Sequence, residues 1–261
     1  MNASALYPLA PVAVFDSGVG GIGVLKEIQA LLPAEDILYF GDSKMAPYGA
    51  RTHDELCALI SCHAARLLEK CKALVLACNT ATAVAIDTLR AQHTGVPIIG
   101  MEPALRPALA VKQSPHVLVL ATPTTLREAR FRALLAANGQ QARFSLCAAP
   151  RLVTLVERGL ADSAEADRYL SHLLAPYTGQ NKPDAVVLGC THFPFARRAI
   201  LRYFGNDMPL FDGAVGTARQ LYRALHTAGL LNPRQARGSV QLTSSDPAAL
   251  SLYAAMLQGA I

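Results

Sequence analysis

The run Ala73-Leu-Val-Leu-Ala-Cys78-Asn79-Thr80 returns in similar form at Ala185-Val-Val-Leu-Gly-Cys190-Thr191-His192. Each copy is a short apolar stretch closed by a cysteine and polar side chains, with an amphipathic segment after it. A continuous apolar run of this length, bounded by turn signals, reads as a strand buried on both faces, the habit of parallel sheets. Each copy also follows, at a similar spacing, an earlier apolar run that closes on a small polar residue, Asp16 in one case and Thr122 in the other. The simplest account is two α/β units of like topology. Each places one cysteine at a strand's carboxyl end, where open α/β sheets bind their ligands.

The rest of the chain extends the pattern. Strands are expected at 12–15, 37–40, 73–77, 96–100, 117–121, 144–147, 185–188, 210–211 and 240–242. Helical segments lie between them, for example at 23–32, 52–71, 80–93 and 195–204. Short strands alternating with longer helices argue for the α/β class, here two similar domains with largely parallel sheets flanked by helices. The expected division gives 1–102 plus 213–261 to the first domain and 103–212 to the second, with the C-terminal segment rejoining the first.

Composition narrows the function classes. Of 261 residues, 52% are hydrophobic and 16% charged, a supply of core that excludes disorder as the main character. The net charge of +5 falls wholly after residue 130 and forms no Lys/Arg run, so a solvated surface is the ordinary reading and no nucleic-acid partner is expected. Six cysteines are too few for a disulfide scaffold. No apolar run approaches the roughly 18–20 residues that span a bilayer, so no membrane partner is expected. The first fifteen residues lack a basic leader and cleavage site, so a reducing cytoplasm and free thiols are expected.

Phe15-Asp16-Ser17-Gly18-Val19-Gly20-Gly21-Ile22-Gly23 contains a formal G-x-G-x-x-G after a strand and before a helix, with Asp42 beyond it. By pattern this is a dinucleotide fingerprint. Against it, Asp16 stands where a fixed carboxylate would repel a pyrophosphate. Two other readings are a turn that brings Asp16 and Ser17 to the mouth of a cleft, and a turn with no further role. The polar loop Gly41-Asp42-Ser43-Lys44-Met45-Ala46-Pro47-Tyr48-Gly49 is turn-rich for conformational reasons alone. It could also offer backbone N–H groups to a carboxylate, with Tyr48 closing over a small ligand.

Cys78 and Cys190 each precede an expected helix, with Asn79 or Thr80 as N-cap of the first and Pro194 in the first turn of the second. A thiol so placed faces the positive end of the helix dipole, which favours its thiolate. One such cysteine reads as a small buried hydrophobe; two in matching positions beside polar side chains read as chemistry. The other four are expected to be core packing. His53, Cys57, Cys62 and His63 lack metal-ligand spacing, so no metal site is expected. None of the lysines has the context of a pyridoxal-phosphate anchor.

Taken together, Phe15-Asp-Ser-Gly18, Gly41-Asp-Ser43, Pro47-Tyr-Gly49, Ala77-Cys-Asn-Thr-Ala81, Gly100-Met-Glu-Pro-Ala104, Leu155-Val-Glu157, Leu188-Gly-Cys-Thr-His192 and Thr243-Ser-Ser-Asp-Pro247 resemble the cofactor-independent glutamate racemases of the aspartate/glutamate racemase superfamily. The chain departs from the pattern at Thr124, at Ala50-Arg51-Thr52 and at Cys147-Ala-Ala-Pro150. The resemblance implies an active site in the cleft between two α/β domains, no cofactor, L- and D-glutamate as substrates, a role in peptidoglycan synthesis and a homodimer. It further implies that Cys78 takes the α-proton from D-glutamate and Cys190 from L-glutamate. Asp16 and His192 would assist the thiols, with Glu157 a further helper. Ser17, Tyr48, Gly49, Asn79, Thr80, Thr122 and Thr191 would hold the substrate, together with Asp16 and His192. The alternatives are aspartate or another amino-acid racemase of the superfamily, a nucleotide-dependent oxidoreductase using the glycine-rich turn, and a non-catalytic DNA-binding protein.

Overall fold

The computed structural model describes residues 8–259, apart from the side chain of Ala50. Nine strands form: β1 (Val12–Asp16), β2 (Ile37–Gly41), β3 (Ala73–Leu76), β4 (Ile98–Gly100), β5 (His116–Ala121), β6 (Arg143–Ala148), β7 (Ala185–Gly189), β8 (Leu210–Asp212) and β9 (Val240–Ser244). They alternate with α1 (Ile22–Leu31), α2 (His53–Leu68), α3 (Asn79–Gln92), α4 (Leu105–Leu109), α5 (Pro123–Arg127), α6 (Ala129–Ala136), α7 (Pro150–Glu157), α8 (Ala164–Leu174), α9 (Arg197–Phe204), α10 (Ala214–Thr227) and α11 (Leu250–Gln258).

The described residues divide into two compact units. One contains the residues up to Glu102 and those from Ala214 onward; the other is Pro103–Gly213. The first holds a five-stranded sheet of order β4-β3-β1-β2-β9 and the second a four-stranded sheet of order β6-β5-β7-β8. Every strand pairing is parallel. Read from its other edge, the second order is β8-β7-β5-β6, which repeats β4-β3-β1-β2 of the first, with β9 as an added edge strand. The two cysteine runs, β3 and β7, thus hold equivalent places beside the central strand of each unit.

Local sequence explains the elements. β1, β3, β5 and β7 are buried along their whole length, hence their unbroken apolar composition. Helix α2 starts at a capping box, in which the Thr52 side chain accepts from the Glu55 backbone and the Glu55 carboxylate accepts from Thr52. Its stripe of Leu56, Ile60, Ala64 and Leu67 enters the first core with Phe15, Leu74, Leu76 and the inner face of α3. In the second unit, Val117, Val119, Ala185 and Val187 pack with Leu105, Ala108 and Phe131. Among the described residues no helix is long and apolar enough to cross a membrane.

Candidate functional site

The two strand-end sites share a position in the topology and differ in chemistry. In the first unit, Cys78 follows β3 and is itself the N-cap of α3, its sulfur accepting from the Ala81 N–H at 3.5 Å. Asn79 is therefore the first helical residue, which replaces the expected cap at Asn79 or Thr80. A sulfur in that place meets both a backbone donor and the dipole of a 14-residue helix. The Cys78 thiol also points to Ser17 Oγ at 3.6 Å. Asn79 donates through Nδ2 to the Met101 carbonyl at 3.2 Å, and Thr80 is buried beside it.

Asp16 ends β1 and is fully buried. Its Oδ2 accepts the Gly18 N–H at 3.0 Å, and its carbonyl accepts the Asp42 N–H at 2.9 Å. This turn decides the reading of the glycine-rich segment. The backbone donor that would cradle a pyrophosphate is engaged by Asp16, and a Cβ added at Gly23 would meet nothing within 4 Å. The third glycine of a dinucleotide fingerprint is needed for close helix–strand packing; here the crowded one is Gly21. The turn presents Asp16 and Ser17, and the nucleotide reading fails.

Tyr48 and Gly49 lie in a 3₁₀ turn after β2. The Tyr48 hydroxyl donates to Asp42 Oδ2 at 2.7 Å. Burial, reinforced by the charge of Asp42, holds the phenol proton on, its pKa raised far above the ordinary tyrosine value. His63 Nε2 reaches the same oxygen at 3.3 Å. Burial works against the Asp42 carboxylate, yet hydrogen bonds from His63, Ser245 and Tyr48 outweigh it and its pKa falls.

In the second unit Cys190 follows β7, but what comes next is a 3₁₀ turn, Phe193–Ala196, before α9. Pro194 does sit in the first turn of that element. The expected helix at 195–204 is thus shorter as α-helix, and Cys190 lacks the cap geometry of Cys78. Its partner is His192, whose Nδ1 lies 3.8 Å from the sulfur. His192 Nε2 is 2.6 Å from Glu157 Oε1, at the last residue of α7. An ionised carboxylate only accepts, so Nε2 carries its hydrogen and Nδ1 is left to exchange a proton with the thiol. Burial opposes the imidazolium, but the hydrogen bonds to Cys190 and Glu157 prevail and raise the His192 pKa well above the ordinary value. Thr191 Oγ1 is 3.5 Å from the same Nδ1.

Strand register revises one equivalence. Phe15 pairs with Leu76 and Leu120 with Leu188, each partner two residues before its cysteine. Ser17 and Thr122 are therefore the matching positions, and the counterpart of Asp16 is Ala121. Thr122 caps α5, its Oγ1 accepting the Thr125 N–H at 3.2 Å. Two of the four remaining cysteines, Cys71 and Cys147, are buried as expected, and burial pushes the Cys71 thiol up to about 12. Cys57 is partly buried and packs against the first core, whereas Cys62 is exposed, which corrects the expectation of core packing at that one position. No group of three or more metal-ligating side chains forms among the described residues. Asp42 and His63 had no assigned role in the sequence. The available signal was the place of His63 on the flank of the Leu56, Ile60 and Leu67 stripe.

A family model described as Asp/Glu/Hydantoin racemase matches residues 21–221. The glutamate racemase of Clostridium botulinum (strain Alaska E43 / Type E3) is 40% identical over 237 residues, covering 90% of this chain and 92% of the relative. That of Herpetosiphon aurantiacus is 42% identical over 240 residues, covering 91% and 94%. Among solved structures, a glutamate racemase isoform of Bacillus anthracis aligns with a TM-score of 0.86 at 30% identity, over 97% of this chain and 95% of that one. The enzyme of Francisella tularensis in complex with D-glutamate aligns at 0.83 and 26%, over 97% and 94%.

Proposed function

The chain belongs to the Asp/Glu/hydantoin racemase family, and on that premise we propose that it is a glutamate racemase, working with two cysteines and no cofactor. The observation that carries this reading is the duplicated strand end: one cysteine after the equivalent strand of two units with the same strand order. Racemisation removes the α-proton from one face of the substrate and returns a proton to the other. Two thiols on opposite sides of one carbon suffice if each can serve as thiolate or thiol. In this scheme Cys78 takes the proton from D-glutamate while Cys190, as thiol, supplies one to the far face; from L-glutamate the roles exchange. Each turnover breaks one C–H bond, forms another, and moves the ionised state from one sulfur to the other.

The surroundings support these roles. The Ala81 N–H and the α3 dipole favour negative charge on the Cys78 sulfur, and Ser17 stands beside it, directly after the buried Asp16. His192, held by Glu157, can take the Cys190 proton and return it. With no electron sink, the carbanionic transition state depends on fixed donors and on the retained ammonium of the substrate. Ser17, Tyr48, Gly49, Asn79, Thr80, Thr122 and Thr191 are the candidate contacts. The same reading makes the product a supply of D-glutamate for peptidoglycan, in the cytoplasm, by a homodimer; sedimentation of the purified chain tests the last point.

The test is L-glutamate in D₂O, followed by optical rotation and by α-deuterium content. Wild type should racemise and incorporate deuterium, without pyridoxal absorbance and without loss to a chelator. Cys78→Ala and Cys190→Ala should each abolish racemisation with unchanged circular dichroism. The enantiomers have equal free energy, so kcat/KM must fall alike in both directions. What separates the thiols is exchange without inversion: Cys190→Ala should exchange only D-glutamate, and Cys78→Ala only L-glutamate. Either variant retaining most of its activity would refute the two-thiol scheme. Aspartate run beside glutamate ranks the other racemase reading.

A further inference from the structure

Asp42, Tyr48 and His63 form a cluster against the first strand-end site that the proton-transfer scheme leaves unused. Asp42 is fully buried, and its backbone N–H is bonded to the Asp16 carbonyl at 2.9 Å, so its carboxylate is rooted beside the end of β1. One oxygen, Oδ2, takes both the Tyr48 hydroxyl at 2.7 Å and His63 Nε2 at 3.3 Å. The His63 ring is held by Phe40, centroids 4.8 Å apart, and by Phe15 at 5.9 Å, while part of it stays open to solvent.

The direction of the Tyr48 hydrogen bond depends on the charge of Asp42. An ionised carboxylate can only accept, so Tyr48 must donate to it, and the lone pairs of the phenol face away. A protonated Asp42 could donate instead and turn the phenol's own hydrogen outward. Burial alone favours that protonated form. The groups facing Asp42 are His63 from α2, Tyr48 from the 3₁₀ turn and Ser245 from the segment after β9; those facing Tyr48 are Asp42, Cys78 and Asp16. Of these only His63 can carry positive charge.

We propose that His63 is a positioning residue: through its contact with Asp42 Oδ2 it keeps that carboxylate ionised further into acid, so that Tyr48 remains a donor to Asp42 there, and so sets the polarity of the wall that Tyr48 presents toward Cys78 and Asp16. The functional part rests on the racemase reading; the wiring does not. The deciding experiment is therefore in two arms. In the first, the Asp42 carboxyl is titrated by ¹³C NMR in the substrate-free protein, in wild type, His63→Leu and His63→Gln. The leucine variant should raise the midpoint by about one pH unit or more, and glutamine, which keeps a donor, should recover much of the shift. In the second, the acid limb of the kcat/KM profile for glutamate should move up with that midpoint in His63→Leu. In an Asp42→Asn background the same substitution should leave the profile where Asp42→Asn alone puts it. An unmoved Asp42 midpoint in His63→Leu overturns the wiring, and an acid limb that stays put while the midpoint moves overturns the positioning role. A wild type inactive on glutamate would refute the racemase reading, while the NMR arm would still decide the wiring.

Discussion

Gly21→Ala should damage catalysis where Gly23→Ala, two residues on, should not. Gly21 has φ −64° and ψ −9° at the N-cap of α1, a conformation alanine adopts freely, so the backbone itself does not object. The space does. A Cβ at Gly21 would lie 2.7 Å from Asp16 Cβ, 3.0 Å from the Tyr39 hydroxyl and 3.1 Å from Ala77 Cβ. Carbon atoms settle at about 3.5–4.0 Å, so the contact with Asp16 is short by roughly 0.8 Å. None of the three neighbours yields cheaply. Asp16 is tied to the Gly18 and Asp42 N–H groups, the Tyr39 hydroxyl donates to the Gly18 carbonyl at 2.7 Å, and Ala77 leads directly into Cys78. Overpacking of this kind costs about 1–3 kcal/mol. A displacement near 1 Å at reacting groups costs up to about 100-fold in rate. The expected result is kcat/KM lower by about 10- to 100-fold in both directions, with Tm down by several degrees. At Gly23 an added Cβ meets nothing within 4 Å, and inside α1 the change should raise stability by about 0.5–1 kcal/mol with activity intact. Polarimetry of both enantiomers and thermal melts of the two variants decide the matter. Wild-type kcat/KM and Tm in Gly21→Ala, or greater damage from Gly23→Ala, would refute the packing argument.

Two further expectations concern charge. Glu157→Gln should weaken the second site, and its effect on stability has a definite sign with pH. The folded-state pKa of His192 is raised, burial being outweighed by the Cys190 and Glu157 bonds, so its contribution is complete below the unfolded value of about 6.5 and is lost as pH rises through the folded value. Denaturant titrations should therefore show a deficit of about 1–3 kcal/mol at pH 6 that shrinks at alkaline pH; a deficit that grew with pH would contradict this. At the other end of the first sheet, Lys72, just before β3, and Glu35, just before β2, are both buried and 2.5 Å apart, and Glu35 also accepts the Asn232 N–H at 2.8 Å. Lys72→Met should cost about 3–5 kcal/mol by stranding the Glu35 charge, and a second change, Glu35→Gln, should recover part of it, with kcat/KM unaffected at temperatures where the variants stay folded. Equal stability of wild type and Lys72→Met would show that the pair contributes nothing.

The nine strands among the described residues could be placed within two or three residues, most plainly β1, β3, β5 and β7, because strands buried on both faces are written as unbroken apolar runs and need no partner to be seen. The same property made the repeat visible, since β3 and β7 end alike. What the chain did not disclose was which neighbour each polar group meets. His63 looked like part of a failed metal pattern on α2; its meaning depends on the approach of Asp42 from the end of β2, which no local spacing encodes. The cap at Cys78 was missed for a related reason: asparagine and threonine are the usual caps, and only the backbone geometry shows the sulfur accepting the Ala81 N–H. The matching of Asp16 with Thr122 failed because the polar residue that closes an apolar run does not fix register, and an offset of one residue moves every side chain to the neighbouring position.

That shift of one residue bears on how the two halves divide the work. With Ser17 and Thr122 in matching positions, a hydroxyl residue directly follows β1 in one unit and β5 in the other, so the repeat supplies two like positions. The carboxylate is not repeated. Asp16 finds Ala121 as its counterpart, and in the second unit the acid arrives from α7, as Glu157, through the imidazole of His192. The first thiol thus has its donor built into the backbone, where it persists at every pH, and the second depends on a side-chain pair that titrates. A reaction between mirror-image substrates of equal energy requires the same kcat/KM in both directions at each pH, whatever the inequality of its two bases. In the proposed two-thiol scheme, the difference between a backbone-capped thiol and an imidazole-served one should then appear in how kcat and KM share that common ratio, enantiomer by enantiomer.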